Sequence, residues 1–181
     1  GNYLYDWLNL YINTQEIYHC IQEIESGNEC SPISFELVFE DLTETGLTGP
    51  LVSAWGSFYN VIQQSNNVII GISESTTVSG AIKNKYIAEA RFMRGTAYWY
   101  LASLWGDVII STDPRELVKN PIVNKSPLKD VYEFAIRDLE FAAKYLPESA
   151  GQAGRLTKYS AFGMLSRVYL SFSGVSDNPN S

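Results

Sequence analysis

Few side chains in this sequence stand where they could make or break a bond. The single histidine, His19, is the natural proton carrier. Its only same-face acids at helical spacing are Glu16 and Glu23, and both fit a solvated surface better than a metal site or a proton relay. Glu36, Glu40, Asp41 and Glu44 form an acidic run that offers the oxygen ligands calcium takes, but without the EF-hand spacing, so an exposed loop is the simpler reading. Two carboxyls about 5–9.5 Å apart across a cleft would make a glycosidase, and the spacing of these acids along the chain supplies no such distance. Cys20 and Cys30 form neither a CxxC nor a Cys/His pattern, and are compatible with one disulfide or with two small buried side chains. There is no Gly-rich phosphate loop and no G-x-S-x-G elbow. The sequence therefore assigns no catalytic residue, no metal and no cofactor.

Binding chemistry is better represented. Tyr3, Tyr5, Trp7 and Tyr11 cluster near the start, and Trp7 and Tyr11 share a face if that segment is helical. Such rings either stack on sugars or cover the edge of a core. Trp55 opens a later helix beside the 41–50 loop, where a core position or a cleft rim would suit it. Trp7, Tyr11 and Trp55 are thus the candidate ligand-binding residues. A formal net charge of −7 disfavours nucleic acid, which needs basic surface to displace counterions, and anionic membrane surfaces for the same reason. No segment approaches the ~18 apolar residues of a membrane span. The first residue is Gly, so a targeting signal is expected upstream of it.

The elements that position these residues are helical. Thr14 starts a helix to about Ser26, and residues 27–50, with Pro32, Gly46, Gly49 and Pro50, form a long connection. Trp55, Tyr59, Ile62, Asn66 and Ile69 make one stripe over 51–72, and Asn66, on that apolar stripe, calls for a hydrogen-bonded partner across a helix interface. Tyr86, Ala90, Met93, Ala97, Leu101 and Leu104 make a second over 80–105. A loop follows over 106–125. Ser126 as cap and Pro127 as first helical residue begin a helix that ends near Leu146, before Pro147. Thr157 caps a last helix to about Phe172. Arg91 and Arg94 call for carboxylates on neighbouring helices.

These helices carry a repeat. Gly95 and Tyr98 have the spacing of the first helix of a tetratricopeptide pair. Ala135, Leu139, Ala142 and Pro147 have that of the second, and Phe162, Leu165, Ser166 and Tyr169 suit the next first helix. Small residues at a crossing let two backbones approach while bulky ones fill the neighbouring groove. Gly95 and Ser166 lie 71 residues apart, about twice the usual ~34-residue period, so loops such as 106–125 decorate the array. The expected fold class is all-α, with antiparallel tetratricopeptide-like helix pairs and long loop insertions. It forms a single helical domain over 1–181, with a lead segment 1–50, a repeat core 51–172 and a tail 173–181.

With those residues placed, the chain resembles the RagB/SusD family of surface nutrient-binding lipoproteins. The resemblance rests on Trp55, Tyr59, Ile62 and Asn66, and on Glu89-Ala90-Arg91-Phe92-Met93-Arg94-Gly95 with Tyr98 and Trp105-Gly106-Asp107-Val108. It continues through Ser126, Val131-Tyr132, Ile136, Asp138-Leu139, Ala142 and Leu146-Pro147, then Gly154-Arg155-Leu156-Thr157-Lys158, Ala161, Leu165 and Arg167-Val168-Tyr169-Leu170. Ile109 replaces a frequent Pro, Lys125 a frequent Arg, and residues 1–50 match poorly. The resemblance implies a non-catalytic, lipid-anchored protein on the outer face of an outer membrane. Such a protein binds a glycan or other nutrient and partners a TonB-dependent (SusC-like) transporter. Family members are longer than this chain, so it corresponds to an N-terminal portion, with the anchoring cysteine upstream of it. A tetratricopeptide adaptor that binds a peptide in its groove is the alternative function, and a glycan hydrolase ranks below both.

Overall fold

The computed structural model describes residues 49–176. His19, Cys20, Cys30, the acidic run 36–44 and the candidate aromatics Trp7 and Tyr11 lie outside the described residues. The chain falls into two units, residues 1–58 and 59–181. Of the first, the described part is the opening of helix α1 (Gly49–Glu74), in which Ala54 and Phe58 are buried and Trp55 is half-buried.

The second unit holds the rest of α1 and four further helices: α2 (Gly80–Trp105), α3 (Pro114–Lys119), α4 (Leu128–Tyr145) and α5 (Lys158–Ser176). The fold is all-α, as the sequence predicts; among the described residues the one β feature is an isolated antiparallel bridge between Val108 and Ser126. Helices α2 and α4 run antiparallel. Arg91 meets Phe141 and Asp138, Gly95 meets Ala135 and Leu139, and Tyr98 meets Phe134, so partners descend α4 as α2 ascends. Helix α5 runs antiparallel to α4 in turn, with Tyr132 against Phe172 and Glu140 against Tyr169.

Helix α4 is the most cleanly two-faced of the five, with Val131, Ala135, Leu139 and Ala142 fully buried and Glu133, Arg137, Glu140 and Lys144 exposed. Helix α2 is different. From Phe92 to Ala102 it is buried on every side, because α4 and α5 both pack on it. The stripe read from sequence holds for Ala90, Met93, Ala97 and Leu101, but Tyr86 lies outside the packed stretch and is exposed.

The connections at the helix ends depart from expectation in two places, at α3 and at Ser126. The 106–125 loop contains α3, whose Asp113 side chain accepts from the Arg115 amide and whose Pro114 sits in the first turn. Ser126 does not cap α4: its amide bonds to the Val108 carbonyl at 2.8 Å, Pro127 takes the cap position, and the Leu128 amide is met by Asp107 Oδ1 at 2.8 Å. Gly106 ends α2 with φ 71°, a left-handed conformation that favours glycine, and its amide closes on the Ala102 carbonyl. At α5, the Thr157 carbonyl accepts from the Ser160 and Ala161 amides, and the two hydroxyls lie 3.4 Å apart.

Candidate functional site

The polar centre of the second unit is built by three helices. Asn66 of α1, Arg94 of α2 and Asp138 of α4 are 1%, 5% and 3% exposed. Arg94 grips both carboxylate oxygens, with Nε donating to Oδ2 at 2.7 Å and Nη2 to Oδ1 at 2.9 Å. Its Nη1 donates to Asn66 Oδ1 at 2.6 Å, and Asn66 Nδ2 donates onward to the Ser111 carbonyl at 2.9 Å. A bidentate charged pair with its remaining donor satisfied is the form in which a buried charge is tolerable. The interhelical clamp expected of Asn66 is thus tied to Arg94 on one side and to the loop on the other.

The loop after α2 is held by two phenols. Tyr59 OH accepts from the Ile109 amide at 3.1 Å and donates to its carbonyl at 2.9 Å. Tyr98 OH accepts from the Ser111 amide at 2.7 Å and donates to its carbonyl at 3.2 Å. Each hydroxyl replaces a neighbouring strand for one residue of extended backbone. Burial is the main cause that pushes the Tyr59 phenol up to about 12 and Tyr98 well above its ordinary value, each partly offset by its backbone bond. An unfolded tyrosine releases its proton near 10, so above that pH the folded state binds more protons than the unfolded one. The stability the Tyr59 phenol contributes is complete below pH 10 and is lost as pH rises from about 10 to 12. Melting curves over pH 8–12 should show a fall that is shallower in Tyr59→Phe; an identical slope would remove the phenol from the account.

Three clefts are lined by described residues of this unit. The largest, about 630 Å³, runs between α4 and α5 along Glu140, Lys144, Phe162, Leu165, Ser166 and Tyr169. Phe162 and Tyr169 are half exposed there, and Tyr169 OH donates to Glu140 Oε1 at 2.8 Å, which raises the phenol's pKa. Aromatic faces beside a carboxylate and an ammonium suit an amphipathic ligand such as a sugar. A second cleft of about 330 Å³ lies between Tyr59, Gln63, Ser111 and Val118. The third, about 320 Å³, is lined by Ile69, Phe134 and Thr112 with three arginines and Asp138. No metal-holding group of His, Cys, Asp and Glu occurs among the described residues.

The repeat-signature residues divide between two environments. Gly95, Tyr98, Ala135, Leu139 and Ala142 meet at the α2–α4 crossing, all buried, and Pro147 follows the end of α4. Ser166 and Tyr169 are exposed along the α4–α5 cleft, where Ser166 Oγ donates back to the Phe162 carbonyl. Trp55 belongs to the first unit and is not part of these clefts. Sequence reasoning passed over Asp138 as the partner of Arg94 and Tyr59 as a loop clamp. A signal for the first exists: a carboxylate beside Leu139, on the face otherwise made of Ala135 and Ala142, has to be paired.

The family described as starch-binding, associating with outer membrane, matches residues 13–170. The chain belongs to the SusD-like family. A SusD-like protein of Bacteroides ovatus is 42% identical over 132 residues, 72% of this chain and 24% of the relative. A crystal structure with xylogluco-oligosaccharide is similar at 39% identity and TM-score 0.72, over 83% of this chain and 30% of that one. A SusD superfamily protein of Parabacteroides distasonis is 27% identical with TM-score 0.71, over 76% and 30%. The SusD-like chain thus spans about a quarter of the Bacteroides ovatus relative and under a third of each of these two solved chains.

Proposed function

We propose that this SusD-like chain is part of a non-catalytic protein that binds a glycan at the bacterial outer-membrane surface. It delivers the glycan to a TonB-dependent, SusC-like transporter. The observation that carries the reading is its likeness, at 39% identity over 83% of its length, to a structure determined with a xylogluco-oligosaccharide. The family's description as starch-binding and outer-membrane-associated supports the location, and a lipid anchor upstream of Gly1 would hold the protein there. No helix among the described residues is long and apolar enough to cross a membrane. The geometry suits binding: the buried Arg94–Asp138 pair is neutralised and structural, and Phe162 and Tyr169 of the α4–α5 groove offer exposed faces to a sugar ring.

Calorimetric titration with xyloglucan and starch oligosaccharides tests the reading, with chromogenic glycosides expected to stay uncleaved. If Trp55 contributes a sugar-stacking face, Trp55→Ala should weaken binding by about tenfold, the scale of one lost aromatic contact. Unchanged affinity would return Trp55 to a purely packing role, and a clean negative across a broad glycan array would reject glycan capture.

A further inference from the structure

The 320 Å³ cleft between α1, α2, α4 and the loop carries more positive charge than its own carboxylate can use. Arg91, Arg94 and Arg137 line it with Asp138 as the single acid. Arg94 occupies both Asp138 oxygens. Arg91 stands off at 3.8 Å from Oδ1, and its Nε is buried with no acceptor within bond distance. The Arg91 guanidinium lies over the Phe141 ring at 4.2 Å, and about a third of the side chain is exposed. Arg137 is exposed at the rim, where its Nε donates to the Glu133 carbonyl and leaves the rest of the fork unused. Two acids of the neighbouring turns are engaged elsewhere: Glu89 is taken by Arg155 at 2.7 Å and Glu140 by Tyr169. In a chain of net charge −7, three guanidiniums around the one carboxylate of a small cleft are a local reversal of sign.

We infer that this cleft takes the carboxylate of an acidic sugar, a hexuronate unit, with Arg91 and Arg137 as its partners. The inference rests on the glycan-binding reading and names a chemical class for one of its subsites. A planar fork matches a carboxylate with two parallel hydrogen bonds, which a neutral hydroxyl cannot return. Ile69 and the half-buried Phe134 form apolar walls suited to the C–H face of a pyranose, and the exposed Thr112 supplies a hydroxyl at the lip. The acidic character of the remaining surface does not oppose this, because charges farther than about 8 Å are screened at physiological salt.

The test is a nuclear magnetic resonance titration of the chain with glucuronate and galacturonate, beside glucose and acetate, at low and high salt. Saturable uronate binding is expected, about tenfold or more tighter than either control, with shifts at Arg91 Nε and Thr112 and a loss of affinity in salt. Arg91→Gln and Arg137→Gln should each weaken it several-fold. A melt checks that Arg91→Gln folds, and Arg137, being exposed, gives a second variant free of that concern. Acetate binding as tightly as uronate overturns the sugar assignment. Binding of neutral oligosaccharides without preference for uronate overturns the inference and leaves glycan capture standing. Failure to bind any saccharide overturns both.

Discussion

Asp138→Ala is expected to destabilise the protein by about 3–5 kcal/mol, the cost of leaving a buried charge without its partner. Arg94 is 5% exposed, and both of its bonds to Asp138 would vanish while the guanidinium stays among Phe134, Asn66 and the α2–α4 packing. Arg91, 3.8 Å from the same carboxylate, loses its counter-charge too. The opposite truncation should be milder. In Arg94→Met the carboxylate keeps Arg91 within reach, and a small rotation restores a charged bond. Replacing both partners, Arg94→Met with Asp138→Leu, should recover much of the loss, because well-packed apolar side chains often match a buried ion pair. Urea unfolding of the three variants reads the order directly: Asp138→Ala lowest, Arg94→Met between, the double variant nearest the parent. For a chain of this size each kcal/mol moves Tm by roughly 2–4 °C. If Asp138→Ala unfolded within about 1 kcal/mol of the parent, Arg94 would have found water or another acceptor, and the network would be no keystone of the fold.

That network also marks how far the sequence carries. The helical stretches were legible because their signals are local and repeated: α2 begins and ends at Gly80 and Trp105, the bounds that periodicity and the Gly106-Asp107 stop suggest. Helix α3 was not legible, since its six residues are too few to show a stripe, and the Asp113-Pro114 start is indistinguishable from an ordinary turn. Ser126 misleads for a different reason. Its local sequence favours a cap, but Asp107 Oδ1 accepts from the Leu128 amide in its place, while the Ser126 amide donates to Val108, eighteen residues earlier. A cap residue competes with any acceptor the tertiary structure brings near, and sequence spacing cannot weigh that contest. Tyr59 belongs to an apolar stripe and Tyr98 to the repeat signature, but each hydroxyl reaches a loop carbonyl and amide 50 or 13 residues away. The clefts follow from which faces the packed helices and the loop leave uncovered, a property of packing that no single helix encodes.

Gly95→Leu is the second large expected effect, about 1–3 kcal/mol from overpacking alone. Even a Cβ at this position would meet the Ala135 carbonyl oxygen at 3.0 Å, Leu139 Cγ at 3.1 Å and Asp138 Cβ at 3.2 Å. Leu139 has some freedom to turn aside, but the Ala135 oxygen belongs to the backbone of α4, so the two helices have to separate. Separation by a few tenths of an ångström reaches Arg94, the adjacent residue, whose bonds to Asp138 depend on the same spacing. Gly95→Leu and Asp138→Ala should therefore be non-additive, since neighbours that share a displacement couple. Gly95→Ala sets two terms against each other: the propensity gain of about 1 kcal/mol for removing glycine from a helix interior and the clash with a carbonyl that cannot rotate away. The contrast is Gly163, inside α5, where an added Cβ meets nothing within 4 Å. Gly163→Ala should gain up to about 1 kcal/mol from propensity alone. A urea midpoint that falls for Gly95→Leu with unchanged slope and rises for Gly163→Ala would separate close approach from backbone freedom as the reason for glycine at the crossing. Two midpoints that move together would mean the α2–α4 distance is not set by the missing side chain.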